Sequence, residues 1–123
     1  MHDDRGRLLL IRRGQAPSAG LWSVPGGRCM PGEDAATACV REVLEETGLT
    51  VEITSLVGQV IRPGVGVTTY VIDDFACRLL GGELSAQDDA DEARWVTSAE
   101  FDQLALVPGL KSALEQWGQL PRC

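Results

Sequence analysis

The sequence has little of the chemistry on which zinc sites, disulfide scaffolds and membrane spans depend. Its 123 residues include one histidine, His2, and four cysteines, none of them in a C-x-x-C pair. This set excludes the common Cys/His zinc sites, and it favours reduced cysteines over a disulfide framework. The longest early apolar run, residues 8–11, is far too short for a signal sequence or a transmembrane helix. We therefore expect a cytoplasmic protein.

Cationic residues are also scarce. Eleven lysines and arginines stand against 18 aspartates and glutamates, so the formal net charge is −7. Charge of this sign disfavours binding to long nucleic acids or anionic membranes. A small phosphorylated ligand can still bind if a metal ion lies between the two negative partners. The length predicts one domain, residues 1–123, with a core of its own.

The strongest predicted element is a helix over Ala35–Thr47. Helix-forming residues predominate there, and neither glycine nor proline interrupts the run. Asp34 is suited to the N-terminal cap, and Gly48 stands where a left-handed C-terminal cap is expected. Strands are predicted at residues 7–13, 21–24, 51–61, 67–80 and 93–96, and a loop is predicted at residues 62–66. Gly81-Gly82 predicts a hairpin turn with a return strand at 83–85. Two further helices are predicted, one after Thr97 and one at 108–117.

Three glutamates share one face of the predicted helix, because Glu42, Glu45 and Glu46 are spaced i, i+3 and i+4. Like charges at this spacing cost roughly 0.2–0.5 kcal/mol per pair, and Arg41 can offset only part of that. A solvated acidic face is the simplest interpretation. The alternative is a site for a hard divalent cation such as Mg²⁺ or Mn²⁺, which binds carboxylate oxygens. The glycine-rich turn before the helix, Pro25-Gly26-Gly27, favours the second interpretation, since it lets the backbone approach a ligand closely.

These residues together resemble the Nudix box, G-x5-E-x7-R-E-U-x-E-E-x-G-U with U aliphatic. The matching positions are Gly27, Glu33, Arg41, Glu42, Val43, Glu45, Glu46, Gly48 and Leu49. The lead-in at residues 20–26 and the later Arg94-Trp95-Val96 are also similar to segments of that family. The resemblance implies an α/β fold, the Nudix-type α/β/α sandwich with a mixed β-sheet.

The resemblance also implies roles for single residues. Glu42, Glu45 and Glu46, with the carbonyl of Gly26, would bind Mg²⁺ or Mn²⁺. Glu42, or a carboxylate from the acidic loop at residues 87–92, would orient or deprotonate water; in that loop we favour Glu92, followed by Asp89. Arg41 would hold a catalytic glutamate in place with Glu33 as its other partner. Arg13 is the expected substrate contact, and Trp22 and Tyr70 could stack on a base, although core packing is favoured for Trp22.

Nudix hydrolases cleave the diphosphate linkage of nucleoside diphosphate derivatives. The region from residue 82 to 96 is slightly more similar to small bacterial ADP-ribose pyrophosphatases than to MutT-like enzymes, which hydrolyse nucleoside triphosphates, including oxidised ones. An ADP-ribose-like substrate is therefore favoured and an (8-oxo-)nucleoside triphosphate is the alternative. A different class of function, a Nudix module that binds nucleotide without cleaving it, is disfavoured because all four glutamates of the box are present.

One departure from the family concerns the beginning of the chain. Family members usually carry a hydrophobic strand before the segment that matches residues 3–8, and only Met1 and His2 precede that segment here. We expect that residues 1–123 lack this first strand. The sheet edge left open would invite pairing with a second chain, which makes a homodimer a reasonable expectation.

Overall fold

The computed structural model describes residues 1–16, 18–26, 29–63 and 69–123, with side chains except at 62, 63, 69 and 70. The chain runs β1 Leu8–Arg13, β2 Trp22–Ser23, α1 Ala35–Thr47, β3 Leu49–Pro63, β4 Thr69–Gly82, β5 Ala90–Val96, α2 Ser98–Gln103 and α3 Leu110–Trp117. In the described part of the chain, no helix is long and apolar enough to cross a membrane.

Strand β1 lies at the centre of a three-stranded antiparallel sheet of order β2-β1-β5. Its first four residues are all buried, as expected of a strand covered on both faces. On one face Leu8 and Leu10 pack with residues of α2 and α3; on the other, Leu9 packs with Val43 of α1 and with β3. Helices therefore cover both faces of the sheet, which agrees with the predicted α/β/α architecture.

The caps of α1 explain why its bounds agree with the prediction at both ends. The side chain of Asp34 accepts a hydrogen bond from the backbone N–H of Thr37, and Gly48 adopts the left-handed conformation with φ 74°. Thr97 and Glu100 form a capping box at the start of α2, the helix predicted after Thr97. Helix α3 begins at Leu110, two residues after the predicted start, because Gly109 before it is left-handed.

The second sheet is a long antiparallel ribbon of β3 and β4. The predicted hairpin turn at Gly81-Gly82 is wrong: β4 continues through Gly82, which pairs with Leu49, and no strand returns at residues 83–85. A Cβ on Gly82 would lie 2.4 Å from the carbonyl oxygen of Gly48. Glycine is therefore needed at position 82 because two backbones approach each other closely there, which is a common reason for glycine within a strand.

Other strand bounds differ from the predictions by a few residues. Residues 62 and 63, predicted as loop, continue β3 and pair with the start of β4; the rest of that predicted loop, 64–66, and residues 67–68 of the predicted strand lie outside the described residues. Strand β5 begins at Ala90, three residues before the predicted start.

Pairs of named strands are antiparallel throughout the described chain, and a parallel bridge joins Trp22 to Leu106. The backbone N–H of Trp22 donates to Ala105, and that of Val107 donates to Trp22. Residues 105–107 thus run beside β2 and give the sheet a mixed character. Near the beginning of the chain, His2 forms an isolated antiparallel bridge with Leu8. The absence of a first family strand stays a prediction.

Candidate active site

Arg41 is the centre of a group of acidic side chains on α1 and in the turn before it. Its Nε and Nη2 donate to the two carboxylate oxygens of Glu33 at 2.8 and 2.9 Å. Its Nη1 donates to Glu42 at 2.8 Å and to Glu45 at 3.1 Å. One guanidinium thus contacts three carboxylates, and the group retains an excess of negative charge.

Glu33 reaches Arg41 because of the turn at Pro31-Gly32. The carboxylate also accepts a hydrogen bond from the backbone N–H of Met30 at 2.9 Å. The hydrogen bonds from Arg41 and then from Met30 hold the pKa of Glu33 at about 2, well below its usual value. In return, the hydrogen bonds from Arg41 to Glu33 and Glu42 raise the pKa of the guanidinium further above its ordinary value. The ion pair is therefore fully charged at neutral pH.

Glu46 differs from the other glutamates because it is buried, with 5% of its surface exposed. Its Oε1 accepts a hydrogen bond from the backbone N–H of Gly26 at 2.8 Å, which joins Gly26 to α1. Burial, together with the negative charges of Glu42 and Asp89, raises the pKa of Glu46 to about 7, while the Gly26 N–H and Arg13 act in the opposite direction. A buried carboxyl with carboxylates as neighbours is one that a cation would stabilise.

Arg13 and Asp89 belong to the same neighbourhood, since both act electrostatically on Glu46. Arg13 is the last residue of β1, and its backbone lies next to the loop after it, through hydrogen bonds with Gly20 and Leu21. Asp89, from the predicted acidic loop, is the last residue before β5, and its carbonyl accepts a hydrogen bond from the N–H of Gly14. The acidic loop thus contributes Asp89 to the surroundings of Glu46.

Glu92, the loop carboxylate favoured from the sequence, does not lie with this group, and that preference is corrected here. It pairs with Arg12 in the β1–β5 register, and its side chain forms an ion pair with Arg94 and a longer one, 3.8 Å, with Arg12. Both arginines lie over the ring of Trp22, on the face of the sheet that carries α2 and α3. Helix α1 covers the opposite face, so Glu92 is separated from the glutamates by the sheet.

Trp22 is buried, with 5% of its surface exposed, and belongs to the core beneath α2 and α3. The guanidinium carbons of Arg94 and Arg12 lie 5.1 and 6.0 Å from its ring centroid. A ring covered in this way is not available to stack on a base, so the predicted substrate contact is wrong and the competing prediction of core packing is confirmed. The side chain of Tyr70, and Gly27 of the box, lie outside the described residues.

Among the described side chains, no three Asp, Glu, His or Cys residues converge in a ready-made metal site. Arg41 explains why: it draws Glu42 and Glu45 toward itself and toward Glu33. The donor set nevertheless fits a hard divalent cation, because its members are carboxylates and the buried member, Glu46, has excess negative charge around it. Gly26 contacts this set through its N–H, whereas the sequence predicted a role for its carbonyl.

Comparison with known proteins shows which families this chain is similar to. The family model described as NUDIX domain matches residues 1–117. Over 100 residues the chain is 39% identical to an ADP-ribose pyrophosphatase of Methanocaldococcus jannaschii, covering 80% of this chain and 59% of that protein. Over 113 residues it is 34% identical to a putative 8-oxo-dGTP diphosphatase of Bacillus subtilis, covering 90% and 70%. The chain thus spans a little over half to about two thirds of these relatives.

Solved structures support the same relationship. A MutT protein from Methanosarcina mazei Go1 superposes with a TM-score of 0.80 at 25% sequence identity, covering 95% of this chain and 86% of that one. The chain therefore has the same overall fold as that protein.

Proposed function

Because this chain belongs to the Nudix family, we propose that it is a metal-dependent hydrolase that cleaves the diphosphate linkage of a small nucleotide. The observation that carries the proposal is the group around Arg41. One arginine contacts Glu33, Glu42 and Glu45, and the buried Glu46 lies on the same helix beside the glycine-rich turn. Three carboxylates at this spacing destabilise a helix that has no ligand, so their presence favours a site for a cation.

Glu42, Glu45 and Glu46 are the residues that would hold a divalent cation, with the carbonyl of Gly26 as a further ligand. Mg²⁺ and Mn²⁺ are the ions that suit these oxygen donors. Such an ion supplies charge that offsets the phosphates and makes water a better nucleophile. It would also resolve the electrostatic conflict at Glu46, whose pKa is raised by burial and by Glu42 and Asp89.

The chain's own residues position the reactants and move the proton. The rigid fork of Arg41 fixes the orientation of Glu42 through the 2.8 Å hydrogen bond, and Glu33 fixes Arg41 through two more. Glu42 is the proposed base, whose carboxylate oxygen accepts a proton from the attacking water. Asp89 is a second acidic group for the same step, because it lies on the Glu46 side of the sheet.

Arg13 is the proposed contact to a substrate phosphate. It is the last residue of β1, its charge acts on Glu46, and guanidinium groups bind phosphate oxygens well. A cation at this position can attract the substrate despite the net charge of the chain, −7. Small nucleotides are therefore the proposed substrates, and long nucleic acids are not.

Within this reaction class we favour an ADP-ribose-like substrate. The relative named ADP-ribose pyrophosphatase is 39% identical over 80% of this chain. The second candidate, an 8-oxo-nucleoside triphosphate, is favoured by the 34% identity to a protein named putative 8-oxo-dGTP diphosphatase over 90% of this chain. The two differ in products: AMP and ribose 5-phosphate from the first, nucleoside monophosphate and pyrophosphate from the second.

The deciding experiment is product analysis by chromatography with ADP-ribose, 8-oxo-dGTP and the ordinary nucleoside triphosphates. Each reaction is run with Mg²⁺ and with EDTA, on the wild-type chain and on Glu42→Gln. A matched control is Glu52→Gln, because Glu52 is an exposed glutamate on the ribbon whose ion-pair partner is Arg78 and not Arg41. We expect turnover that requires Mg²⁺, is lost in Glu42→Gln and persists in Glu52→Gln.

Two results would contradict the proposal. Turnover that persists in EDTA would show that the reaction needs no metal ion. Turnover by Glu42→Gln equal to that of the wild type would show that Glu42 is not the base. Saturable nucleotide binding by folded protein, measured by calorimetry, with no product from any substrate would favour the non-catalytic binding module.

A further inference from the structure

Two cysteines that are 38 positions apart in the sequence lie close together where α1 packs on the β3–β4 ribbon. The Sγ atoms of Cys39, on α1, and Cys77, on β4, lie 4.0 Å apart. Both residues are half-buried at the edge of the core formed by Leu9, Val43 and Leu49. A disulfide bond is about 2.05 Å long, so the two sulfurs need to approach each other by about 2 Å for the bond to form.

A small polar cavity reaches one member of this pair, Cys77. It has a volume of about 260 Å³, and Cys77 lines it together with His2, Gln119 and Arg122. The lining supplies hydrogen-bond donors, and the volume exceeds what a water-sized reagent needs. Cys29 and Cys123 are exposed, and the structure pairs neither of them with another cysteine among the described residues.

We propose that Cys39 and Cys77 form a reversible oxidation site, at which a small hydroperoxide entering the cavity converts the two thiols into a disulfide. The thiolate of Cys77 attacks the terminal peroxide oxygen and breaks the O–O bond, which gives a sulfenic acid and releases hydroxide from hydrogen peroxide or an alkoxide from an organic hydroperoxide. The sulfur of Cys39 then attacks the sulfur of that sulfenic acid; the S–S bond forms and water leaves with the proton of Cys39. The two thiols lose two electrons in all, and the peroxide accepts them.

The order of attack follows from geometry, since Cys77 lines the cavity. The sulfur–sulfur hydrogen bond favours the same order, because it lowers the pKa of Cys77 and, with burial, raises that of Cys39. The thiolate is the nucleophilic form of cysteine, so Cys77 is the residue that reacts first and Cys39 is the one that resolves the sulfenic acid. A dithiol reductant returns both residues to thiols.

The disulfide would join α1, which carries the proposed metal ligands, to the β3–β4 ribbon. Cross-linking residues this far apart in sequence restricts the unfolded chain, so the folded state gains stability. We expect the oxidised protein to unfold roughly 5–10 °C higher than the reduced protein. This inference does not rest on the proposed hydrolase activity, because both its product and its effect can be measured without substrate.

The experiment uses the double variant Cys29→Ser/Cys123→Ser, so that the two inner cysteines alone can react. The protein is treated with one to five equivalents of hydrogen peroxide, alkylated and analysed by mass spectrometry with peptide mapping. We expect a mass loss of about 2 Da, two hydrogen atoms, and a cross-link between the peptides that contain Cys39 and Cys77. The change should be reversed by dithiothreitol, with the unfolding temperature falling back.

Adding Cys39→Ala or Cys77→Ala to this background gives a second comparison. With Cys77→Ala, Cys39 should resist peroxide; with Cys39→Ala, Cys77 should be oxidised to a sulfenic acid that a dimedone probe captures. Two alkylatable thiols after full treatment, oxidation beyond the sulfenic acid without a cross-link, or disulfides only between chains would each overturn the inference.

Discussion

Arg41 and Glu33 are joined by two parallel hydrogen bonds, from Nε to Oε2 at 2.8 Å and from Nη2 to Oε1 at 2.9 Å. This fork leaves Nη1 for Glu42 and Glu45. Glu33 therefore acts on the proposed base indirectly, by fixing the guanidinium that contacts it. We therefore expect a glutamate eight residues before the arginine to influence the proposed base without contacting it.

Arg41→Lys tests the importance of the fork. A lysine keeps the positive charge but presents one ammonium group, which cannot contact Glu33 through two parallel bonds and also reach Glu42. We expect kcat/KM to fall about 10–100-fold, as for other groups that orient metal ligands. Arg78→Lys is the matched control, because its pair with Glu52 is exposed, and it should retain wild-type activity. Equal activity of the two variants would show that the fork has no role.

Glu42→Gln tests the proposed base. The side chain keeps its size and a hydrogen-bond acceptor for Arg41, but it loses the charge and the ability to take a proton. We expect kcat to fall about 10²–10⁴-fold, the range for loss of a general base, with an unchanged circular dichroism spectrum. Retention of more than a tenth of the wild-type kcat would assign the base elsewhere.

Asp89 and Glu92 can be separated by a pair of variants. Asp89 acts on Glu46, whereas Glu92 pairs with Arg94 on the opposite face of the sheet. We expect Asp89→Asn to lower kcat/KM at least about 10-fold and Glu92→Gln to change it less than about threefold. The reverse order would restore the assignment made from the sequence. Metal titrations of both variants would show whether Asp89 acts through metal affinity or through kcat.

The sequence predicted α1 completely but only part of what surrounds it. The bounds of α1 depend on local signals: a capping aspartate, a left-handed glycine and an uninterrupted run of helix formers. The contact between Arg41 and Glu33 also followed from the Nudix box. These features need no knowledge of distant parts of the chain.

The position of Glu92 depends on distant pairing and could not be predicted. Between Arg12 and Arg13 the β1–β5 register shifts: Arg12 pairs with Glu92 and Arg13 with Ala90, which leaves Asp91 as an extra residue. A bulge of this kind changes which side chains share a face. Spacing along the acidic loop carries no signal for it, so Glu92 and Asp89 could be ranked only by analogy.

Gly58 illustrates a residue whose role is tertiary. The β3–β4 register shifts between Leu56 and Gly58, which is common where glycine lies in a strand. A Cβ on Gly58 would also lie 2.1 Å from Cε2 of Trp117 on α3. We expect Gly58→Ala to lower stability by about 1–3 kcal/mol through overpacking.

Gly81→Ala is the control for this variant, because a Cβ there meets no atom within 4 Å and the position belongs to the same ribbon. Thermal unfolding of both variants should show a lower midpoint for Gly58→Ala alone. Equal midpoints would mean that the Trp117 ring moves aside without cost.

Glu46 gives a prediction about pH that concerns the metal-free protein. Burial raises its pKa from 4.5 to about 7, so ionisation is easier in the unfolded chain than in the folded one. The stability that this carboxyl contributes is therefore fully present below pH 4.5 and is lost as the pH rises through 7. Glu46→Gln cannot ionise and should escape this loss.

In EDTA, Glu46→Gln should be more stable than the wild type at pH 8, by on the order of 1–3 kcal/mol, and not at pH 4.5. Urea unfolding at the two pH values measures this, with Glu52→Gln as an exposed control. Mg²⁺ at pH 8 should raise the stability of the wild type and not that of Glu46→Gln, because an ion that binds the ionised carboxylate favours the folded state. If the stability difference between Glu46→Gln and the wild type were the same at pH 4.5 and at pH 8, Glu46 would ionise as freely in the folded chain as in the unfolded one. A bound cation would then not be needed to stabilise the charge of Glu46.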